Sequence, residues 1–426
     1  MRRCYAITPL GGRGIALLLL ALCAMWGVGP ARAEPLAGDA GSYVLGMSAD
    51  FSGQSRGLGV ELYRGSVAYF TQLNRNGGIN GRPVVLVTLD DGYDPEPAIR
   101  NTIELMRRGD VLCLYGYVGT PTVTRILPLL GGGGGAGKQL FFPFTGAQPQ
   151  REPPHGHNVF NLRASYRQEV AGLVDRFVSL GRKRIAILYQ ADAYGRSGWD
   201  GVRRALAAHG LTIAGEATYR RGTGFDASMN EQVRILARSQ PDAVIAVGTY
   251  APSAAFIRDA RDAGLDVPIA NLSFVGSENM LDLLASLGRE RERDYTGDLV
   301  NSQVVPSYED MSLPAVREYR RAMDAVDPGL PEGAEPCTTP YRYTFAGFEG
   351  YLNAVVMARV LRVLDENPGL GLVGAAESVR DMDLGIDVPV RFGPDRHQGL
   401  DRVYFTTVEK GAFVPVGEPH WEAWRQ

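Results

Sequence analysis

Residues 184–195 read RIAILYQADAYG, a short apolar run followed by small and polar residues. The run at 184–189 has the length and composition of a buried strand, and residues 197–209 are predicted to form the helix that follows it. Short apolar strands that alternate with helices of about 10–15 residues indicate a parallel sheet covered on both faces. This segment therefore predicts the unit from which the rest of the chain is built.

The same alternation runs through the chain in two series. We predict strands at 43–48, 84–89, 111–115 and 140–144 in the first series, and at 184–189, 212–217, 243–247 and 269–274 in the second. Two such series imply an α/β protein with two doubly wound parallel-sheet lobes. The remainder supplies an extended segment at 299–305, helices at 314–326 and 344–364, and a hairpin-like stretch at 402–416.

These last pieces are better explained as additions to the two lobes than as a third lobe. We expect an N-terminal lobe from residues 43–160 plus about 305–375, and a C-terminal lobe from residues 161–304 plus about 385–420. The chain then crosses between the lobes several times, and these crossings form a hinge.

The first 33 residues have the pattern of a secretory signal peptide. Arg2, Arg3 and Arg13 precede an apolar run at 15–25, and the segment ends Ala-Arg-Ala at 31–33. The run is shorter than the roughly 20 residues of a membrane span. We expect cleavage after Ala33, export to the periplasm and no direct membrane anchor.

Charge and cysteine content restrict the partners. The chain has 44 Lys and Arg against 47 Asp and Glu, and the expected leader removes four Arg and no acid, so a net charge of −3 becomes −7. Nucleic acid and anionic lipid are poor partners for that balance. Cys113 and Cys337 remain in an oxidising compartment, where a pair can bridge. Because Cys113 lies in an apolar strand, a small core residue is the alternative, and their pairing stays open.

Several motifs typical of catalysis or metal binding are incomplete or missing. Residues 132–138 resemble a phosphate-binding P-loop, but Gln139 stands where the motif has Ser or Thr and the loop precedes a strand, so a surface loop is favoured. His155 and His157 lack a nearby third ligand, and Asp90-Asp91 closes a strand. No G-x-S-x-G, H-E-x-x-H or C-x-x-C motif occurs. We expect neither an enzyme nor a cofactor.

Small hydroxyl, glycine and aromatic residues follow the predicted strands. Ligands of parallel sheets bind beyond the carboxyl ends of the strands. Gly-Thr ahead of a helix offers backbone N–H groups and a hydroxyl at the positive end of the helix dipole, which holds a carboxylate without Arg. Tight turns alone are the alternative. We predict a ligand-binding cleft from Ser52, Gln54, Tyr117, Gly119, Thr120, Thr145, Gly146, Asp192, Tyr194, Tyr250, Ser273 and Phe274.

The order of these segments resembles the type I periplasmic binding proteins of ABC importers, in particular the branched-chain amino-acid (Leu/Ile/Val) binding branch. The resembling pieces span nearly all of residues 43–410 and include DFSG at 50–53, NRNGGING at 74–81, VTLDD at 87–91, GTPT at 119–122 and FTGA at 144–147. The resemblance implies that a ligand is enclosed between two lobes. It further implies that Gly119, Thr120, Thr145 and Gly146 hold the ligand carboxylate, and that Tyr194 and Tyr250 close over it.

Two positions depart from the family pattern. Amino-acid binders of this family carry an acid near the end of the strand predicted at 269–274, where this chain has Ser273 or Phe274. A buried ammonium without a counter-charge is costly, so either Asp192 or Glu278 replaces that acid or the ligand lacks an α-ammonium group. The family's disulfide positions fall near Tyr93 and Val118, so that bridge is expected to be absent.

We therefore expect a solute-binding subunit that captures an amino acid or a related small carboxylate or amide and delivers it to an ABC permease in the inner membrane. A sensory subunit of the same fold, which signals to a membrane kinase or regulator, is the alternative, and neighbouring genes would separate the two. An exported enzyme is a third possibility. It requires a nucleophile–base pair that the sequence does not offer.

Overall fold

Two parallel β-sheets organise the computed structural model, which describes residues 41–131, 137–335 and 338–426. The described strands are β1 (Tyr43–Ala49), β2 (Val84–Asp90), β3 (Val111–Tyr115), β4 (Leu140–Phe141), β5 (Val159–Phe160), β6 (Ile185–Gln190), β7 (Glu216–Tyr219), β8 (Ala243–Val247), β9 (Ile269–Asn271), β10 (Leu299–Gln303), β11 (Met382–Asp383), β12 (Pro389–Val390), β13 (Tyr404–Glu409) and β14 (Ala412–Pro415). The described α-helices are α1 (Arg56–Arg75), α2 (Pro95–Arg107), α3 (Thr120–Leu130), α4 (Tyr166–Ser179), α5 (Ala193–Ala208), α6 (Asn230–Ala237), α7 (Tyr250–Asp262), α8 (Ser277–Arg291), α9 (Pro314–Val326), α10 (Phe345–Glu366), α11 (Gly371–Glu377) and α12 (Glu418–Ala423).

The first sheet has the order β2-β1-β3-β4-β5, and each neighbouring pair is parallel. Leu114 of β3 packs with α2 and α3 on one face, whereas Cys113 and Tyr115 pack with α1 and α10 on the other. Both faces are therefore covered, as a parallel sheet requires. We call this sheet with its covering helices the first lobe.

The second sheet has the order β14-β13-β10-β9-β8-β6-β7. The strands from β10 to β7 are parallel, while β13 and β14 add an antiparallel hairpin at one edge. Ile185 and Ile187 of β6 pack with α4 and α5, and Ala186 and Leu188 pack with α6, α7 and α8. This sheet with its helices is the second lobe. The predicted α/β architecture with two parallel-sheet lobes is confirmed.

Helices α1 and α10 pack closely because glycines remove side chains from their interface. A Cβ atom on Gly65 would lie 1.8 Å from the carbonyl oxygen of Gly347, and one on Gly350 would lie 2.1 Å from that of Leu62. The first lobe thus includes helices from late in the chain, and the second lobe includes β13 and β14. The exact division of residues between the lobes stays a prediction.

Some element bounds differ from the sequence prediction, each for a local reason. The strand predicted at 140–144 ends at Phe141, because Phe142 has a φ of 54°. The helix predicted from 197 begins at Ala193, because the Asp192 side chain caps it. The strand predicted at 269–274 ends at Asn271 and gives way to a single 3₁₀ turn at Ser273–Val275. The strand predicted at 212–217 lies at Glu216–Tyr219, where alternate side chains are buried.

Three sequence features lie wholly or partly outside the described residues: the expected signal peptide, residues 132–136 of the P-loop-like run, and Cys337. Cys113 is fully buried in β3 as a free cysteine among the described residues. Within the described ranges, none of the helices combines the length and apolar character that crossing a membrane requires.

Candidate ligand-binding cleft

Two buried threonine hydroxyls face each other at the carboxyl end of the first sheet. Thr120 begins α3 and Thr145 follows β4, and their Oγ1 atoms are 2.7 Å apart. Gly119, which caps α3, has a φ of 105°, a conformation that glycine adopts without the steric cost of a Cβ atom. The first lobe therefore presents hydroxyls and a helix start where adjacent strands end.

Tyrosine rings lie directly against both predicted glycines. A Cβ atom on Gly119 would lie 2.3 Å from Cε2 of Tyr93, and one on Gly146 would lie 2.5 Å from Cδ1 of Tyr166. Burial raises the pKa of Tyr166, although Arg163 and the neighbouring threonine hydroxyls lower it. Neither glycine can be enlarged unless a ring moves.

Phe274 connects the two lobes through aromatic contacts. Its ring centroid lies 4.9 Å from that of Tyr194, 5.4 Å from that of Phe144 and 6.1 Å from that of Tyr93. Tyr194 also lies 5.3 Å from Tyr166. Tyr194 and Phe274 belong to the second lobe, whereas Tyr93 and Phe144 belong to the first, so the lobes meet through aromatic rings beside the hydroxyl pair.

Asp192 is engaged in capping α5. Its carboxylate accepts hydrogen bonds from the Tyr194 N–H at 2.9 Å and from Nε2 of Gln190 at 2.7 Å. Burial raises the pKa of Asp192, and these hydrogen bonds oppose that effect. Gln190 also donates to the Tyr93 hydroxyl at 3.3 Å, which adds a polar contact between the lobes.

Ser273 lies within a buried ionic cluster. Its N–H and hydroxyl donate to Glu169 at 2.8 and 3.1 Å, and Nη2 of Arg163 donates to its hydroxyl. Arg163 also lies 3.6 Å from carboxylate oxygens of Glu169 and Glu349. Burial raises the pKa of Glu349 to about 7, although Arg163 lowers it. Because Glu349 belongs to α10 and Glu169 to α4, the cluster joins the two lobes.

Glu278, the other acid considered for a ligand ammonium, is directed to the start of α10. Its Oε1 accepts a hydrogen bond from the Phe345 N–H at 2.9 Å. Burial raises the pKa of Glu278 to about 7, while this hydrogen bond lowers it. The carboxylate already has a structural partner.

Ser52, Gln54 and Tyr117 are among the predicted residues that are not brought to the hydroxyl pair. Ser52 is exposed, and its hydroxyl donates to Asp90 at 2.5 Å. Gln54 is also exposed. Tyr117 is fully buried in the core that α2 and α3 form, where its hydroxyl accepts from Thr102 at 3.2 Å. The structure gives Tyr117 a core position and so does not support its assignment to the cleft.

Tyr250 lies at another contact between the lobes. Its hydroxyl accepts a hydrogen bond from the Gly57 N–H at 3.4 Å, and burial raises its pKa to about 12. A cavity of about 750 Å³ opens beside it, with Arg56 and Tyr341 in its lining. The Tyr341 hydroxyl donates to Asp282 of α8 at 2.7 Å, so this cavity is bounded by both lobes.

Sequence reasoning missed Tyr93, Arg163 and Tyr166. Arg163 is a lone charge in the run NLRAS, which leads into the capping box of α4, and that isolated charge is the signal that could have found it. Within the described ranges, no cluster of His, Cys, Asp or Glu side chains is arranged to hold a metal ion.

Comparison with known proteins agrees with this architecture. A family model described as "Periplasmic binding protein" matches residues 42–412. A possible leucine/isoleucine/valine-binding protein from Rhodopirellula baltica is 30% identical, with 93% of this chain and all of that chain covered and a TM-score of 0.79. A substrate-binding periplasmic protein from Ralstonia solanacearum is 28% identical over 86% of this chain and 98% of that chain, with a TM-score of 0.73.

A curated relative is more distant. The "Leu/Ile/Val-binding protein homolog 3" of Brucella melitensis is 23% identical over 222 residues, which are 52% of this chain and 58% of that relative's length. The alignment with it thus spans little more than half of each protein. The family match, in contrast, extends over both lobes, and the chain belongs to the periplasmic binding protein family.

Proposed function

We propose that this protein is the periplasmic substrate-binding component of an ABC importer and not an enzyme. It captures an amino acid or a related small carboxylate or amide between its lobes. The observation that carries this proposal is the convergence of the Thr120–Thr145 hydroxyl pair of the first lobe with the Tyr194 and Phe274 rings of the second. Membership of the periplasmic binding protein family supports it.

The proposed mechanism is hinge closure. A solute that contacts both lobes makes its full set of interactions only when the lobes are together, so binding shifts the population toward the closed state. In this proposal Gly119, Thr120, Thr145 and Gly146 bind the polar end of the solute, and Tyr194 and Tyr250 close over it. The closed protein then docks on a permease in the inner membrane.

The wider organisation is part of the same proposal. The N-terminal lobe comprises residues 43–160 plus about 305–375, the C-terminal lobe comprises 161–304 plus about 385–420, and the segments that connect them form the hinge. Residues 1–33 direct export and are removed after Ala33. The expected partners are a small solute and the permease.

A thermal-shift screen followed by calorimetric titration tests this function. The panel holds amino acids, their deaminated acids and the corresponding amides, added to protein from which co-purified ligand has been stripped. A ligand at about 100 times its Kd adds roughly 2.7 kcal/mol to stability, which raises the melting temperature measurably. A screen in which no member of the panel raises it contradicts the proposed function.

The cleft assignment is tested by substitution. Thr120→Ala and Tyr194→Ala are expected to weaken binding of the solute found in the screen, while Thr223→Ala, which removes an exposed hydroxyl, leaves affinity unchanged. Circular dichroism checks that each variant is folded. Unchanged affinity in both cleft variants would show that the solute binds elsewhere.

A further inference from the structure

Arg163 is a fully buried cation whose hydrogen-bonding groups are mostly unused. Its side chain is 1% exposed, yet its Nε and Nη1 atoms have no hydrogen-bond partner among the described residues. Its Nη2 donates only to the hydroxyl of Ser273. Its two ion pairs, with Glu169 and Glu349, are 3.6 Å long and supply no hydrogen bond to these atoms. Buried polar groups are nearly always hydrogen-bonded, so these N–H groups indicate a missing acceptor.

The position of Arg163 connects it to the candidate cleft. The guanidinium carbon lies 4.7 Å from the ring centroid of Phe144 and 5.9 Å from that of Tyr166. Phe144 directly precedes Thr145, and the buried Tyr166 hydroxyl lies next to the hydroxyls of Thr120 and Thr145 but makes no hydrogen bond of ordinary geometry among the described residues. Unused donors from Arg163 and Tyr166 therefore lie together beside the threonine hydroxyls.

The acids around this place are already engaged. The Glu169 carboxylate accepts three hydrogen bonds, two from Ser273 and one from the Ser302 hydroxyl at 2.6 Å. Asp192 accepts two hydrogen bonds and Glu278 accepts one from the start of α10. An ammonium group beside Ser273 would therefore lie against the guanidinium of Arg163, with no free carboxylate as close to it among these acids.

Glu349 needs separate consideration because no hydrogen bond to it is found among the described residues. It lies 3.6 Å from Nη1 of Arg163. Burial raises its pKa to about 7, although Arg163 lowers it. At 3.6 Å the carboxylate makes no hydrogen bond with Arg163, so the Nε and Nη1 donors stay available for a further acceptor.

We propose that Arg163 is a ligand-binding residue, and that the solute is a small carboxylic acid without an α-ammonium group. This inference rests on the proposed function and names the solute class of the same cleft. The carboxylate accepts hydrogen bonds from the unused N–H groups of Arg163 and from the Tyr166 hydroxyl. Charge-assisted hydrogen bonds of this kind are stronger than neutral ones, and they satisfy buried donors that otherwise lack a hydrogen bond.

The first test compares matched ligands by isothermal titration of the purified protein. One set is isocaproate, isocaproamide and leucine, and the other is hydrocinnamate, hydrocinnamide and phenylalanine. The acid of at least one set is expected to bind more than about tenfold more tightly than its amide, since hydrogen bonds to charged groups carry this much discrimination. It should also bind more tightly than its amino acid, because the ammonium group would be buried without a free carboxylate. Binding of an amino acid or amide in preference to the acid overturns the inference but leaves the solute-binding function intact. If none of the six compounds binds, the inference fails, and the wider screen above decides whether the function fails with it.

The second test assigns the role to Arg163. Arg163→Met is expected to weaken acid binding by about 10- to 100-fold, with less than a threefold change for the matched amide. Because this change leaves Glu349 without its cation, the double variant Arg163→Met/Glu349→Gln is measured alongside it and keeps the test valid if the single variant fails to fold. Equal weakening of acid and amide would mean that Arg163 only supports the fold, with a bound water as the acceptor of its N–H groups, and would refute the assignment. If the protein binds leucine and the Glu349→Gln variant does not, Glu349 is the partner of the ligand ammonium. That result would also refute the assignment of Arg163.

Discussion

Replacement of Gly119 by alanine tests the close contact between the start of α3 and Tyr93. The added Cβ atom would lie 2.3 Å from Cε2 and 2.8 Å from Cδ2 of Tyr93, and the backbone φ of 105° disfavours any residue with a Cβ. Backbone strain of this kind costs about 1–3 kcal/mol, and overpacking costs about 1–3 kcal/mol more. We therefore expect Gly119→Ala to lower the free energy of unfolding by about 2–6 kcal/mol.

The assay is scanning calorimetry of the ligand-free protein. With an unfolding entropy of about 2 cal/mol/K per residue, a chain of this size should lose roughly 3–7 °C in melting temperature. Gly131→Ala at the other end of α3 is the matched control, because Gly131 has a φ of −72° and its added Cβ atom would come no closer than 4.0 Å to a neighbouring side chain. The control should change the melting temperature by less than about 1 °C.

A double-mutant cycle separates the two contributions. Tyr93→Ala removes the ring that the new Cβ atom would strike, so Gly119→Ala should cost less in that background, with only the backbone strain remaining. Two results would refute this reasoning. Gly119→Ala and Gly131→Ala could lower the melting temperature equally, or the effects of Tyr93→Ala and Gly119→Ala on stability could simply add. In either case the contact with the Tyr93 ring is not what excludes a larger residue at position 119.

Three further outcomes are expected. Burial raises the pKa of Asp91 from 3.8 to about 8. The folded state therefore holds a proton that the unfolded state releases, and the stability of the protein falls as the pH rises between these values. Asp91→Asn should remove at least about 2 kcal/mol of that fall, which melting temperatures measured from pH 4 to pH 8 would show. Gly65→Ala should destabilise the first lobe by about 3 kcal/mol, because the Cβ atom would lie 1.8 Å from a carbonyl oxygen of α10. An unchanged urea midpoint would contradict this. Tyr341→Phe removes the 2.7 Å hydrogen bond to Asp282. It should weaken solute binding by less than about fivefold, and small-angle scattering should show that the ligand-free variant is more open.

The parallel-sheet architecture follows from patterns that are local in sequence. The predicted strand at 243–247 and helix at 314–326 have the same bounds as β8 and α9. In α9, Pro314 occupies the first helical turn, where its missing N–H costs nothing. The pairing of Thr120 with Thr145 follows similarly, because the carboxyl ends of β3 and β4 are adjacent in one sheet.

The positions of other site residues could not be predicted from the periodic pattern of apolar residues in the sequence. Gly116 has a φ of 64°, so the alternation of β3 does not continue to Tyr117, whose ring enters the core. Arg163 lies in a connecting segment, where neither the two-residue nor the 3.6-residue period indicates which way a side chain points. The contacts of Phe274 with Tyr93 and Phe144 join residues that are distant in the sequence, and they require both lobes in place.

The packing of α1 against α10 also bears on how the chain is made. About 270 residues separate the end of α1 from the start of α10. At ordinary translation rates of about 5–20 residues per second, the first helix waits roughly 14–54 s for its partner. During that time the face of α1 that carries Gly65 is open to other nascent or misfolded chains. The yield of native protein should therefore depend on factors that hold unfinished polypeptides apart.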